Sequence, residues 1–180
     1  MKSLYKLSFK RGIVAAGIAI AFSILFLILG LYDSIYSFRF KTDFIIYYVT
    51  IIAFVIITIR TYKKTNNNVL KLNQAIKIGL ILALISALGY ILYNFIFINV
   101  LKPDYYTNYY YGIYSEQAWN HYYEINPEEH TRETYDIHAK GALQREYSFV
   151  YPFIVIASLI IGLLTSLVAG LIMKKKPSNK

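Results

Sequence analysis

An uncharged, almost wholly apolar run of 24 residues, Ile78–Leu101, constrains this chain more than any other feature. At 1.5 Å per residue a helix of that length reaches about 36 Å, enough to cross a ~30 Å hydrocarbon core with some tilt. The run is entered through basic and amide residues, Lys71-Leu72-Asn73-Gln74-Ala75-Ile76-Lys77, and is stopped by Lys102-Pro103-Asp104. Three further apolar runs accompany it, so the spans fall at about residues 12–32, 43–60, 78–101 and 149–173. The expected fold is all-α: an integral membrane bundle of four transmembrane helices.

The flanks of each run support that reading. Lys2, Lys6, Lys10 and Arg11 precede the first span, as they would a signal peptide. The run is too long for a signal core, and Asp33-Ser34-Ile35-Tyr36 follows it in place of a small-residue cleavage site, so the span is expected to stay. The second run, Phe44–Ile59, is short before Arg60. It spans by borrowing Thr42 or Asp43 at one end and letting Arg60 snorkel at the other. Asn66-Asn67-Asn68 marks a turn before span three.

Residues 102–148 form the one sizeable polar segment. Pro103-Asp104 and Asn126-Pro127-Glu128-Glu129 are helix-start signals: a cap, a proline at the first helical position, and carboxylates in the first turn. Two short extracytoplasmic helices are therefore expected between spans three and four, about Asp104–Tyr123 and Pro127–Tyr147. Pro152 then falls in the first turn of span four, where its missing N–H matters little. With 57% hydrophobic residues, above the ~45–50% of soluble proteins, and four spans to supply, residues 1–180 read as a single membrane domain.

Charge sets the threading. Thirteen of the 19 Lys and Arg lie in the N-terminus, the connector from Arg60 to Lys77 and the tail from Lys174. Every one of the 10 acidic residues lies on the other side, at Asp33, Asp43 and between Asp104 and Glu146. Positive residues concentrate on the cytoplasmic side, so both termini are expected inside. The formal charge of +9 is thereby explained as topology and anionic-lipid contact, not as a nucleic-acid footprint.

Helices in lipid associate through small residues spaced four apart. Span four carries Ser158, Gly162, Ser166 and Gly170; span three carries Gly79, Ala83 and Ala87; span one carries Ala15, Ala19 and Ser23, with Gly12 and Ala16 beside them. Span two has no such row, which predicts an interior built from spans one, three and four, with span two turned more to lipid. Tyr47, Tyr48, Tyr90, Tyr93, Phe95 and Phe97 sit near span ends and read as interfacial aromatic belts. Phe9–Ala16 faintly echoes Ile76–Ala83, each entering a span from the same side.

Chemistry is sparse. Cysteine is absent, which excludes disulfides and thiolate sites. His130 and His138 would stand about 12 Å apart on one helix, too far to share an ion. The spans are read as holding no Asp, Glu, Lys, Arg or His, although such residues mark proton and ion pathways, and the serines there have no base to activate them. No catalytic, cofactor or metal site is expected, and no enzyme. The tyrosine-rich stretch after Asp104, with Tyr105, Tyr109, Trp119 and Tyr122 among its rings, suits a headgroup layer or a protein interface.

Asn73-Gln74-Ala75-Ile76-Lys77-Ile78-Gly79 entering span three, Pro103-Asp104-Tyr105 leaving it, and a long outer segment before a Gly/Ser-rich last span and Lys tail carry a resemblance. Over nearly the whole chain the pattern resembles a family of short four-span membrane proteins, domain of unknown function forty-one ninety-nine. The resemblance implies a bacterial inner-membrane location and brings no activity with it. The expected role is that of a non-enzymatic membrane protein whose outer aromatic, acidic cap associates with lipid, a second copy or another membrane protein. A small transporter or channel subunit is the alternative.

Overall fold

The computed structural model of the chain describes residues 2–30, 36–101 and 131–174, with Asn120 and Glu124 between them; of residues 36–41 and most of 132–148 it describes the backbone alone. Among the described residues every regular element is helical: α1 (Lys2–Ile28), α2 (Tyr36–Thr65), α3 (Leu72–Ile96) with a π-helical turn at Phe97–Leu101, and α4 (Arg132–Met173). Each holds a stretch long and apolar enough to cross a membrane: Ser3–Ile28, Thr42–Thr65, Leu72–Leu101 and Phe149–Met173. By its contacts the chain divides into two compact units, Met1–Tyr93 with Ile154–Lys180, and Asn94–Phe153.

The ends of these helices follow from local chemistry. The first helix closes before the expected residue 32, because Gly30 takes φ 68° and its N–H bonds back to the Leu27 carbonyl. Glycine adopts that left-handed conformation without penalty. The turn after α2 uses asparagine in the same way: Asn67 and Asn68 have φ 52° and 60°, and Asn66 Nδ2 donates to the Val69 carbonyl at 2.8 Å. At the start of α3, Gln74 Oε1 accepts from the Lys71 N–H at 3.0 Å, half of a capping box, and Gln74 Nε2 donates to the Tyr62 hydroxyl at 3.3 Å. One side chain thus caps α3 and ties it to the end of α2.

A side-chain hydrogen bond lies at the π turn. The Asn99 side-chain amide donates to the Phe95 carbonyl, one turn back, at 2.7 Å. A side chain that competes for a backbone carbonyl loosens the ladder at that point.

The fourth helix differs most from expectation. It is capped at Thr131, whose Oγ1 accepts from the Thr134 N–H at 3.3 Å, rather than at Asn126-Pro127. It then runs without a break through Tyr147 to Met173, with Pro152 inside it and not in a first turn. The later of the two expected short helices is, from Arg132 onward, the beginning of α4. Proline's φ is itself helical, and in a membrane helix a freed carbonyl is re-satisfied locally, so the change from polar to apolar sequence does not oblige the backbone to stop. The earlier short helix lies outside the described residues.

Within the larger unit the helices alternate in direction around α3. A Cβ built on Gly12 of α1 would meet Ile85 Cβ at 2.9 Å, and one on Gly89 would meet Ala16 Cβ at 2.9 Å, so α1 and α3 run parallel. Ser86 adds a hydrogen bond from its hydroxyl to the Gly12 carbonyl at 3.1 Å. Gly79 lies against Gly162, and Ala75 against Gly170, so α3 and α4 run antiparallel. Over its most apolar stretch α3 is 44% buried, against 28% for α1, 33% for α2 and 33% for α4, which makes α3 the centre of the packing.

One sequence expectation is corrected here. Span two is no more lipid-facing than its neighbours: it buries Asp43, Tyr47, Ile51, Val55 and Ile59 in one row at helical spacing. Large side chains fill an interface as completely as small ones; they set the helices farther apart. The echoed segments also diverge in use, since Gly12 packs on α3 whereas its counterpart Gly79 packs on α4.

Candidate functional site: a tyrosine seam between three helices

The row on α2 meets α3 and α4 near the end where α2 begins. Tyr47, 1% exposed, lays its ring on Tyr90 of α3 with centroids 4.3 Å apart and planes 15° from parallel. Its hydroxyl lies 2.9 Å from Ser158 Oγ on α4. The Ser158 hydroxyl is committed as a donor to the Ile154 carbonyl at 2.6 Å. Each hydroxyl has a single proton, so Tyr47 donates and Ser158 accepts. The relay is therefore directional: Tyr47 O–H to Ser158 O–H to a carbonyl of α4.

Further rings extend the seam. Tyr48 is 5.1 Å from Tyr47 and Phe44 is 5.9 Å from Tyr48, while Tyr93 follows Tyr90 at 6.2 Å. Tilted and offset pairs at such distances are favourable beyond the area they bury. Asp43, one turn before Tyr47, is 4% exposed and lies within the apolar stretch Thr42–Thr65. It is the one acidic residue in any of the four candidate spans. The seam therefore combines stacked phenols with an oriented hydroxyl pair, and Asp43 is buried one turn before it on α2, against the expectation that the spans hold no ionisable residue.

This seam corrects the belt reading. Tyr47, Tyr90 and Tyr93 are buried between helices and do not ring the interface; Phe95 is 55% exposed and keeps an outward position. Phe97, in the smaller unit, is fully buried. A tyrosine near a span end is equally at home in a headgroup layer or in a polar notch between helices, so position alone does not separate the two. A usable signal was the spacing of four from Asp43 through Tyr47 to Ile51, continuous with the apolar row. The hydroxyls that could mark a polar path elsewhere on α2 are internal: Thr50, Thr58 and Thr61 donate to the carbonyls of Ile46, Phe54 and Ile57.

The small residues form a second seam. Gly79, Ala83 and Ala87 of α3 and Ser158, Gly162, Ser166 and Gly170 of α4 are all buried. A Cβ on Gly162 would stand 2.6 Å from Ala83 Cβ and 2.7 Å from the Gly79 carbonyl oxygen; one on Gly79 would collide with the Gly162 carbonyl and with Ser166. The backbones there are as close as glycine allows. Ser158 thus has a hydrogen-bonding place that its position in a small-residue row did not reveal. Tyr105, Tyr109, Trp119 and Tyr122 lie outside the described residues, as do the side chains of His121, His130 and His138.

These features define a four-helix integral membrane protein organised on its third helix. The chain belongs to the family of proteins of unknown function DUF4199, whose model matches residues 10–175. No curated protein and no solved structure matches it. The segment that carries the family resemblance coincides with the α3 packing motif: Gln74 caps the helix, Ala75 meets Gly170, Ile78 is fully buried and Gly79 meets Gly162.

Proposed function

We propose that this chain is a non-enzymatic protein of the bacterial cytoplasmic membrane, with both termini inside, whose role is association. Residues 102–148, with Tyr105, Tyr109, Trp119 and Tyr122, would face outward and meet lipid headgroups, a second copy or a membrane partner. The observation behind this reading is the segregation of charge along alternating helices. Lys10, Arg11, Arg60, Lys63, Lys64, Lys71, Lys77 and Lys174 gather where α1 and α3 begin and α2 and α4 end, and Asp43 stands at the opposite end. Such asymmetry orients membrane proteins with the basic end inside. Because the chain has no cysteine, single cysteines at Asn67, His130 and Ser178 can be probed in intact cells with an impermeant thiol reagent. Labelling is expected at His130 alone; reaction at Asn67 or Ser178 would reverse the orientation.

A second reading, a small transporter or channel subunit, draws support from Asp43. It is buried at the start of span two, and ionisable groups held within a helical bundle tend to serve ion or proton movement. Under this reading, proteoliposomes carrying the chain collapse an imposed pH gradient and Asp43→Asn abolishes the flux. A wild-type flux no greater than that of empty vesicles would leave association as the sole account.

A further inference from the structure

Helices α2 and α4 run in the same direction, with residues 111 apart in sequence level at the Tyr47–Ser158 hydrogen bond. Carried along the pair, that register sets Ile56 level with Leu167 and Lys63 level with Lys174. Beyond the hydrogen bond the helices leave a groove of about 440 Å³ between them, walled by Ile52, Ile56, Leu164, Val168, Ile172 and Met173. From Leu164 to Met173 it runs about 14 Å along the axis. That is roughly the depth of one leaflet, half of a ~30 Å core.

We propose that this groove holds an acyl chain of an anionic phospholipid, whose phosphate is met by Arg60, Lys63 and Lys174. Arg60 continues the row of Ile52 and Ile56 in steps of four, Lys63 follows on the same face, and Lys174 succeeds Met173. Arg60 and Lys174 are exposed. The chain has no acidic residue from Phe44 to Pro103 or after Glu146, and Asp43 stands about 25 Å away along α2. Along α2, α3 and the part of α4 that lines the groove, Arg60, Lys63 and Lys174 thus have no acidic residue near them.

The occupant follows from two physical limits. A helix of a second copy would lie along the whole core, about 20 residues, and this groove covers half a span. The small residues on its wall are Thr165 and Ala169, and Ala169 is 6% exposed, so the groove offers little room for a second backbone to approach closely. Apolar contact alone selects nothing in a bilayer, because surrounding tails are as apolar as the groove. Selection therefore falls to the headgroup, where each Lys or Arg near an anionic surface contributes roughly fivefold in affinity. The site lies apart from the outer segment and does not depend on which face of the membrane the basic end occupies.

The full chain, purified in a neutral detergent and mixed with equal amounts of phosphatidylglycerol and phosphatidylcholine, can be read by native mass spectrometry. Phosphatidylglycerol is expected to be retained over phosphatidylcholine by about fivefold or more. The variant Arg60→Gln/Lys63→Gln/Lys174→Gln should bring the ratio close to one with an unchanged detergent melting temperature. Ile56→Trp, which narrows the groove, should lower retention of both lipids. Equal retention by the wild type, or undiminished preference in the triple variant, overturns the site. Dimers that dissociate in Ile56→Trp would assign the groove to a second copy and overturn it equally.

Discussion

The two faces of α3 solve one packing problem in opposite ways. Toward α4 the helix presents Gly79, Ala83 and Ala87, and the backbones close until a methyl at Gly162 would stand 2.6 Å from Ala83 Cβ. Toward α2 it presents Tyr90, and the space is filled by stacked rings 4.3 Å apart and sealed by a hydroxyl pair. The first seam depends on having no side chain, the second on having large ones, with the Tyr47 hydroxyl bonded to Ser158. A bilayer supplies no hydrophobic drive between helices, so contact area and hydrogen bonds decide both. The difference teaches that a missing small-residue row does not turn a membrane helix toward lipid.

The contrast can be broken most severely at the close seam. Gly162→Leu should destabilise the bundle by about 3 kcal/mol or more, since its neighbours include backbone that cannot give way. Ile56→Leu, on an exposed face of α2, should stay within about 0.5 kcal/mol. Melting in detergent compares the two, and equal loss would mean that backbone proximity is not what holds α3 to α4.

The tyrosine seam should respond more gently and asymmetrically. Ser158→Ala removes the acceptor and leaves the buried Tyr47 hydroxyl without it, at about 1–3 kcal/mol. Tyr47→Phe removes the donor while Ser158 keeps its bond to Ile154, so the loss should be about 0.6 kcal/mol. The double variant should melt no lower than Ser158→Ala alone. Equal single effects would show that the relay does not run from tyrosine to serine.

The spans and the close seam were legible in sequence because long apolar runs and spacing-of-four small residues each have few other meanings. The tyrosine seam was not, since Tyr47 and Tyr90 satisfy two environments equally well until the partner Ser158 is placed opposite them. The length of α4 was hidden for a different reason. Composition changes at about residue 148, but helix continuity is a property of backbone dihedrals, and neither Gly141 nor Pro152 forces those to change.

The threonines of α2 have a consequence for how a bilayer meets this helix. Thr50, Thr58, Thr61 and Thr65 each donate their hydroxyl to a carbonyl of the preceding turn. Thr58 is fully buried, so it is at half-buried Thr50 that a lipid tail meets chiefly a methyl group, much as with valine. Neither threonine within the 16-residue run from Phe44 to Ile59 interrupts it, and what bounds it is Asp43 and Arg60. The stretch long and apolar enough to cross, Thr42–Thr65, thus carries Thr50 and Thr58 without breaking its apolar character.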